Sequence, residues 1–196
     1  MDILAFADLH GNKTALEYIK RKSAKADLIV AAGDLTLFGN HLKEILRLIE
    51  MQGKPIVMVH GNHESEKEMS QCSTKNIHFV HNNHWEFNGV LFIGWGGGGF
   101  ATTDEYFERI AHKYKAKMKG YDKVVFVTHQ PPYGTKIDKV YGHFAGNKSF
   151  TGFIKETQPI LAISGHLHET AGKKDMIGKT LVINPGPKGT LIKLVD

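Results

Sequence analysis

One cysteine, Cys72, stands in the 196 residues, so the chain can form no internal disulfide and no zinc site built on paired thiolates. Proline is scarce too, 6 residues against 21 glycines. Hydrophobic and charged residues make up 41% and 23%, a balance that excludes collagen-like and disordered chains. Long apolar runs are missing: unbroken ones such as Leu28–Ala32 stop at five residues. A membrane helix requires ~20. No basic stretch precedes the first apolar residues, because Asp2 follows Met1 and Met1–Ala7 reads as a strand, which argues against a secretory leader. A soluble, cytoplasmic protein without a membrane partner is expected. The length predicts a single domain over residues 1–196, large enough to bury a core without staples.

What the chain has in excess is histidine, 12 residues, beside a net charge of +5. The charge suits an anionic substrate or partner, although a solvated lysine-rich surface gives the same sum. Short apolar runs at Ile3–Ala7, Leu28–Ala32, Ile56–Val59, Val124–Val127 and Ile160–Ile163 are bounded by polar or turn residues, the pattern of strands buried on both faces. Helical periodicity lies between the early ones, over Thr14–Arg21 and His41–Met51, and again over Thr103–Lys119 with Gly120 just past its end. Asn88-Gly89 between Trp85–Phe87 and Val90–Ile93 predicts a hairpin, and Ala171–Val195 reads as short strands broken by Gly and Pro. The order is βαβαβ, a mixed region, then mostly β, which predicts an α/β sandwich with helices covering a largely β core.

Five of those strands run straight into metal-ligand residue types. They are followed by Asp8-Leu9-His10-Gly11, Gly33-Asp34, Gly61-Asn62-His63-Glu64, Thr128-His129 and Gly165-His166-Leu167-His168-Glu169. The C-terminal ends of strands are where α/β folds gather ligand groups. Two Asp, one Asn and five His at one predicted edge are too many polar groups for a structural cluster, since each would need its own buried partner. Carboxylate, amide and imidazole without thiolate suit Mn, Fe, Zn or Ni. Eight groups exceed the needs of one ion, so two divalent ions, with Mn favoured, are the economical reading.

Asp-x-His, Gly-Asp, Gly-Asn-His-Glu, Thr-His and Gly-His-x-His in this order resemble the calcineurin-like metallophosphoesterase superfamily, over almost the whole chain. The resemblance implies a four-layer αββα sandwich of two mixed β-sheets flanked by helices. It implies Asp8, His10 and His168 on one metal, Asn62, His129 and His166 on the other, and Asp34 bridging both. His63 matches the catalytic histidine, which is not a ligand, so His63, Asp34 and Asn62 carry the chemistry. The reaction implied is in-line attack of a metal-bridged hydroxide on phosphorus, with His63 protonating the leaving oxygen. Asn184, within Asn184-Pro185-Gly186, also resembles a family feature, but turn formation alone accounts for it. His60, His81, His84, His112 and His143 belong to no motif and are expected on the surface or in loops. Gly96–Gly99 lacks the Gly-Lys-Ser/Thr of a phosphate-binding loop and is expected to be a flexible loop near the site.

Departures from the pattern narrow the substrate. Protein phosphatases of the superfamily carry Gly-Asp-x-x-Asp-Arg-Gly where this chain has Gly33-Asp34-Leu35-Thr36-Leu37-Phe38-Gly39, so the acid and the arginine are replaced by Leu37 and Phe38. A protein serine/threonine phosphatase is therefore not expected, and the length leaves no room for the DNA-binding parts of the recombination nucleases. Thr128-His129-Gln130-Pro131-Pro132-Tyr133-Gly134 with Asp138, and Gly165–Glu169 with Gly172, resemble the small metallophosphoesterase-domain, cyclic-nucleotide-type phosphodiesterase branch. The leading expectation is hydrolysis of a small-molecule phosphodiester, a cyclic nucleotide being a candidate. The alternatives are a small-molecule phosphomonoesterase, a nuclease acting on RNA or DNA ends, and a non-catalytic metal-binding scaffold for protein partners. The sequence does not specify an oligomeric state.

Overall fold

The computed structural model describes residues 1–194, so Val195, the end of the expected β-rich tail, lies outside the described residues. The first half runs β1 (Asp2–Phe6), α1 (Lys13–Ser23), β2 (Leu28–Ala32), α2 (Leu42–Glu50), β3 (Ile56–Val59), α3 (Glu66–Ser70) and β4 (Ile77–Phe79). The second half runs β5 (Asn83–Phe87), β6 (Val90–Trp95), α4 (Glu105–Met118), β7 (Lys123–Thr128), β8 (Lys139–Val140) and β9 (His143–Phe144). It continues with α5 (Lys148–Thr157), β10 (Leu161–Ile163), β11 (Lys174–Ile177), β12 (Thr180–Ile183) and β13 (Thr190–Lys193).

Two large sheets result. The first has the order β13-β1-β2-β3-β4, parallel except for the antiparallel β13 at its edge. The second has the order β11-β12-β10-β7-β6-β5, with a parallel centre and antiparallel strands at both edges. Both are mixed, as the resemblance implied. Because successive side chains alternate between faces, each apolar run serves two cores at once. Ile3, Ala5, Val30, Val57 and Val59 of the first sheet meet Phe92, Val125, Val127 and Ile163 of the second in the central layer. Leu4, Phe6, Ile29, Ala31 and Met58 point the other way, onto Leu16 and Ile19 of α1 and Ile45, Leu46 and Ile49 of α2. The outer face of the second sheet, with Ile93, Trp95 and Phe126, packs on Phe107, Ile110 and Tyr114 of α4 and on Phe150 and Phe153 of α5. The four layers are thus helices, sheet, sheet, helices.

Local chemistry fixes the ends of these elements. Asn12 caps α1 by accepting from the Ala15 N–H (2.9 Å), and Asp104 caps α4 by accepting from the Phe107 N–H (2.8 Å). Helices over Thr14–Arg21, His41–Met51 and Thr103–Lys119 were therefore placed to within two residues, Asp104 standing outside the helix as its cap. Asn88 and Gly89 sit at φ 49° and 75°, the left-handed pair that a two-residue hairpin demands between β5 and β6. Helices α3 and α5 gave little sequence signal: α3 has five residues, and α5 carries Gly152 and β-branched Thr151 within its span. No described helix is long and apolar enough to cross a membrane.

Candidate metal centre

The central strands β1, β2, β3, β7 and β10 are parallel within their sheets, so their C-terminal ends deliver their polar residues to one edge of the sandwich. Beyond those ends the backbone turns sharply: Asp8, His10, Asp34 and His166 all have left-handed φ, at 57°, 46°, 53° and 72°. That region is unfavourable for residues with a Cβ and is held here because neighbouring loops bond to one another. Asp8 N–H donates to the Gly33 carbonyl (3.1 Å), His10 N–H to the Asp34 carbonyl (3.0 Å) and Gly165 N–H to the His129 carbonyl (2.9 Å). Gly61 is needed for the approach of the β2 and β3 ends, since a Cβ there would fall on the Asp34 carboxylate.

The eight residues named from the sequence come together at this edge. Asp34 Oδ2 lies 3.4 Å from His129 Nε2, 3.8 Å from His10 Nε2 and 4.0 Å from His63 Nε2. His10 Nε2 faces His168 Nε2 at 2.9 Å. Asn62 Oδ1 lies 2.9 Å from His166 Nδ1 and 3.1 Å from His129 Nε2. Three overlapping triads bring one ligand atom from each member within 4.8 Å of the others: Asp8, His10 and His168; Asp8, Asp34 and His129; and His10, Asp34 and His63.

Both carboxylates are oriented the same way. Asp34 Oδ1 accepts from the His63 N–H (3.0 Å) and Asp8 Oδ1 from the His166 N–H (2.9 Å), which leaves each Oδ2 for the centre. Two imidazoles are oriented from behind: His129 Nδ1 meets the Ala32 carbonyl at 2.8 Å and His10 Nδ1 the Thr36 carbonyl at 3.2 Å, so each turns Nε2 inward. Asp8 Oδ2 and His166 Nε2 are buried and have no hydrogen-bond partner among the described residues. The orphaned Asp8 oxygen, beside imidazole nitrogens facing one another, is what a divalent cation satisfies, and the oxygen and nitrogen donor set fits such an ion.

Burial and neighbouring charges shift the acids and imidazoles of the site. Burial pushes the Asp8 carboxyl up. Burial also acts on Asp34, but the hydrogen bond and charge of His129 outweigh it and bring the carboxyl down to about 2. Burial works against a charged His129, yet its bond to Asp34 and that carboxylate's charge raise it above the usual histidine value. A cation held by Asp34 would compete with the His129 imidazole for the same carboxylate oxygen. Burial, then the charge of His129, lowers His166 to about 4, which keeps it neutral.

Other expectations need correction. His60 is buried at 9% exposure and His81 is half-buried. Their rings meet edge-on at 4.6 Å between centroids, and His81 Nδ1 accepts from the Gly96 N–H (2.8 Å). They belong to the packing beneath the Gly96–Gly99 loop and not to the surface; burial lowers both to about 4. The position of His60, directly after the buried run Ile56–Val59, was the signal that it continues inward. The Gly96–Gly99 run lies by the site as expected; a Cβ at Gly96 would fall on the His60 backbone and ring, whereas one at Gly99 would meet nothing within 4 Å. His84, His112 and His143 are exposed, as expected.

Asn184 does form its turn, accepting from the Gly186 N–H (3.0 Å). Its amide also donates to the Leu167 carbonyl and the Thr170 hydroxyl, both at 3.0 Å, and so pins the segment that carries His168. Glu64 stands in the Gly61-Asn62-His63-Glu64 motif, which assigns it no role. Its buried carboxylate accepts from the N–H groups of Asp34 (3.1 Å), Thr36 (2.8 Å) and Gly61 (3.2 Å) and from the Thr36 hydroxyl (2.8 Å), tying the β2 and β3 loops together. Being the last residue of Gly-Asn-His-Glu was the available signal.

The sequence model of the calcineurin-like phosphoesterase family matches residues 1–170. The uncharacterized protein MJ1162 of Methanocaldococcus jannaschii is 28% identical over 202 residues, covering 98% of this chain and 91% of that protein. Among solved structures, TT1561 of Thermus thermophilus superposes with a TM-score of 0.78 at 20% identity, over 97% of this chain and 93% of that one. A dimetal phosphatase from Danio rerio gives 0.66 at 10% identity, over 97% and 88%. At these identities the superpositions show the shared fold, and the family match shows the rest: the chain belongs to the calcineurin-like phosphoesterases and is a phosphoric ester hydrolase with a dimetal-binding site.

Proposed function

We propose that the chain hydrolyses a small-molecule phosphodiester, with residues 1–196 acting as one catalytic domain around a dinuclear centre. The observation that carries this reading is the position of Asp34 Oδ2, within 4.0 Å of the inward nitrogens of His10, His63 and His129. Asp34 would hold both ions, with Asp8, His10 and His168 on one and Asn62, His129 and His166 on the other; manganese is the ion proposed. When bound, the pair supplies Lewis acidity toward the phosphoryl oxygens and lowers the pKa of water toward neutrality.

The chain's own residues do the remaining work. Phe38 N–H approaches His63 Nδ1 at 3.4 Å and sets the ring with Nε2 toward the centre. As an imidazolium, His63 would donate its Nε2 proton to the leaving oxygen and end as the neutral ring. Asn62 is a neutral ligand, which leaves more net positive charge for the phosphoryl oxygens than a third carboxylate would. The rim favours a diester. A monoester dianion would call for an additional cation, and the positions where protein phosphatases carry acid and arginine are here Leu37 and Phe38, both exposed. Cyclic nucleotides are one candidate class of diester.

Metal-stripped protein reloaded with Mn should turn over bis-p-nitrophenyl phosphate faster than p-nitrophenyl phosphate. Faster monoester turnover would replace the diester reading with a phosphomonoesterase. Hydrolysis of neither ester, with two ions bound, would contradict the catalytic reading.

A further inference from the structure

Two phenyl rings stand in solvent at this site. Phe38 is 80% exposed and Phe100 is 73% exposed, and neither belongs to any of the three hydrophobic clusters. Each lies against a histidine of the centre. The Phe38 ring is 4.7 Å from that of His63, and the Phe100 ring 4.8 Å from that of His166, centroid to centroid. They approach from opposite sheets, Phe38 on the loop after β2 and Phe100 on the loop after β6.

Phe38 also sits where local preference would not put it. It has φ 54° and is followed by Gly39 at 76°, in a turn closed by the Asn40 N–H on the Leu37 carbonyl (3.2 Å). Such left-handed pairs favour Asn, Asp or Gly at the first position, and this chain uses Asn88-Gly89 in the β5–β6 hairpin. Tyr141-Gly142 repeats the turn and the exposure, but no contact of Tyr141 with a site histidine occurs among the described residues. Contact with the site rings, more than exposure alone, singles out Phe38 and Phe100. An unfavourable turn residue that gains no buried contact is consistent with selection by something that binds there.

We propose that Phe38 and Phe100 are the specificity-determining residues of the hydrolase, one stacking face for each ester arm of a diester whose arms carry flat aromatic rings. The inference rests on the phosphodiester reading above. A phosphodiester has two organic arms leaving phosphorus in different directions, and the centre offers an aromatic face on each side. A phosphate held between them presents one arm toward His63, the proton donor, and the other toward His166. The ring chemistry fits an aryl ester and a nucleoside equally.

Calorimetric titration of Mn-loaded protein with phenylphosphonate, methylphosphonate and inorganic phosphate tests the faces without turnover. Phenylphosphonate should bind about tenfold tighter than methylphosphonate, the increment of one stacked ring. Phe38→Asn suits the turn better and so should fold at least as well; because one ring can use either face, Phe38→Asn and Phe100→Ala should each reduce that ratio by about half, the two together should abolish it, and Phe38→Tyr should keep it. The second arm is read from KM: bis-p-nitrophenyl phosphate should show a lower KM than methyl p-nitrophenyl phosphate, and each Phe variant should narrow that gap. Thymidine 5′-p-nitrophenyl phosphate separates the ring sources, a KM at or below the bis-aryl value assigning the arm to a nucleoside and a higher one to an aryl group. Equal binding of the two phosphonates by the native protein, with inorganic phosphate still bound, would overturn the stacking faces and leave the phosphoesterase reading intact. Failure of inorganic phosphate to bind would overturn both.

Discussion

The two sheets contribute to the centre in opposite ways. The strand ends of the first sheet bring both carboxylates, Asp8 and Asp34, together with the Asn62 amide and the imidazoles of His10 and His63. Those of the second bring imidazoles alone, His129, His166 and His168. Their supports differ too, with mostly aliphatic side chains and Phe6 beneath the first sheet's helices and Phe107, Phe126, Phe150 and Phe153 beneath the second's. Neither half carries the whole set: the first holds both carboxylates and the second three of the five histidines. The site exists only at the seam, which is why His166 N–H reaches across to Asp8 and His129 to Asp34.

The sharpest way to break this comparison is to remove the shared charge. Asp34→Asn should lose both ions and lower turnover by at least about 10³-fold, whereas His129→Ala should lose one ion. Metal content after dialysis distinguishes the two, and an Asp34→Asn protein that keeps two equivalents would mean that Asp34 does not bridge. His63→Ala should keep both ions and lose about 10²- to 10³-fold in rate, more for an alkyl ester than for a nitrophenyl ester, whose leaving group needs little protonation. Equal losses would make His63 a phosphate binder.

A third test exploits a device that both halves share. Asp138 in the second half is buried and accepts from the N–H groups of Gly134, Thr135 and Gly146 and from the Thr135 hydroxyl, just as Glu64 does in the first. Glu64→Ala and Asp138→Ala should each destabilise the fold by about 3 kcal/mol in urea unfolding. Only Glu64→Ala should also weaken metal binding, because only Glu64 bonds to the backbone of a ligand residue, Asp34. Equal metal loss in both would mean that the centre senses global stability alone.

The smallest effect is protonic. In the metal-free protein the contribution of Asp34, lowered from 3.8 to about 2, is present above pH 3.8 and fades as pH falls toward 2. That of His129, raised from 6.5, is full below pH 6.5 and fades as pH rises through its folded value. Loading must displace the His129 proton, so metal affinity should rise with pH and calorimetry in different buffers should count about one proton released. No dependence on buffer would place that proton elsewhere.

Much of this is legible in the sequence. Apolar runs ending in Asp8, Asp34, Asn62, His129 and His166 announced both the strands and the edge, because a strand buried on both faces has nowhere but its end to put a polar group. What stayed hidden depends on packing across the seam. Nothing in Val59-His60-Gly61 says that His60 meets His81, and Glu64 reads as an ordinary acid until the β2 and β3 loops are brought together. Asn184 was readable as a turn residue, while its bonds to Leu167 and Thr170 join segments 14 to 17 residues apart. Helix α5 was missed because its capping by Asn147 and the burial of Phe150 and Phe153 outweigh a weak local preference.

The most direct test of a two-ion centre at the seam is to titrate Mn into metal-stripped protein while following bis-p-nitrophenyl phosphate hydrolysis. Activity should rise with the second equivalent and reach its plateau at two ions per chain. Full activity at one equivalent, or none at two, would contradict it.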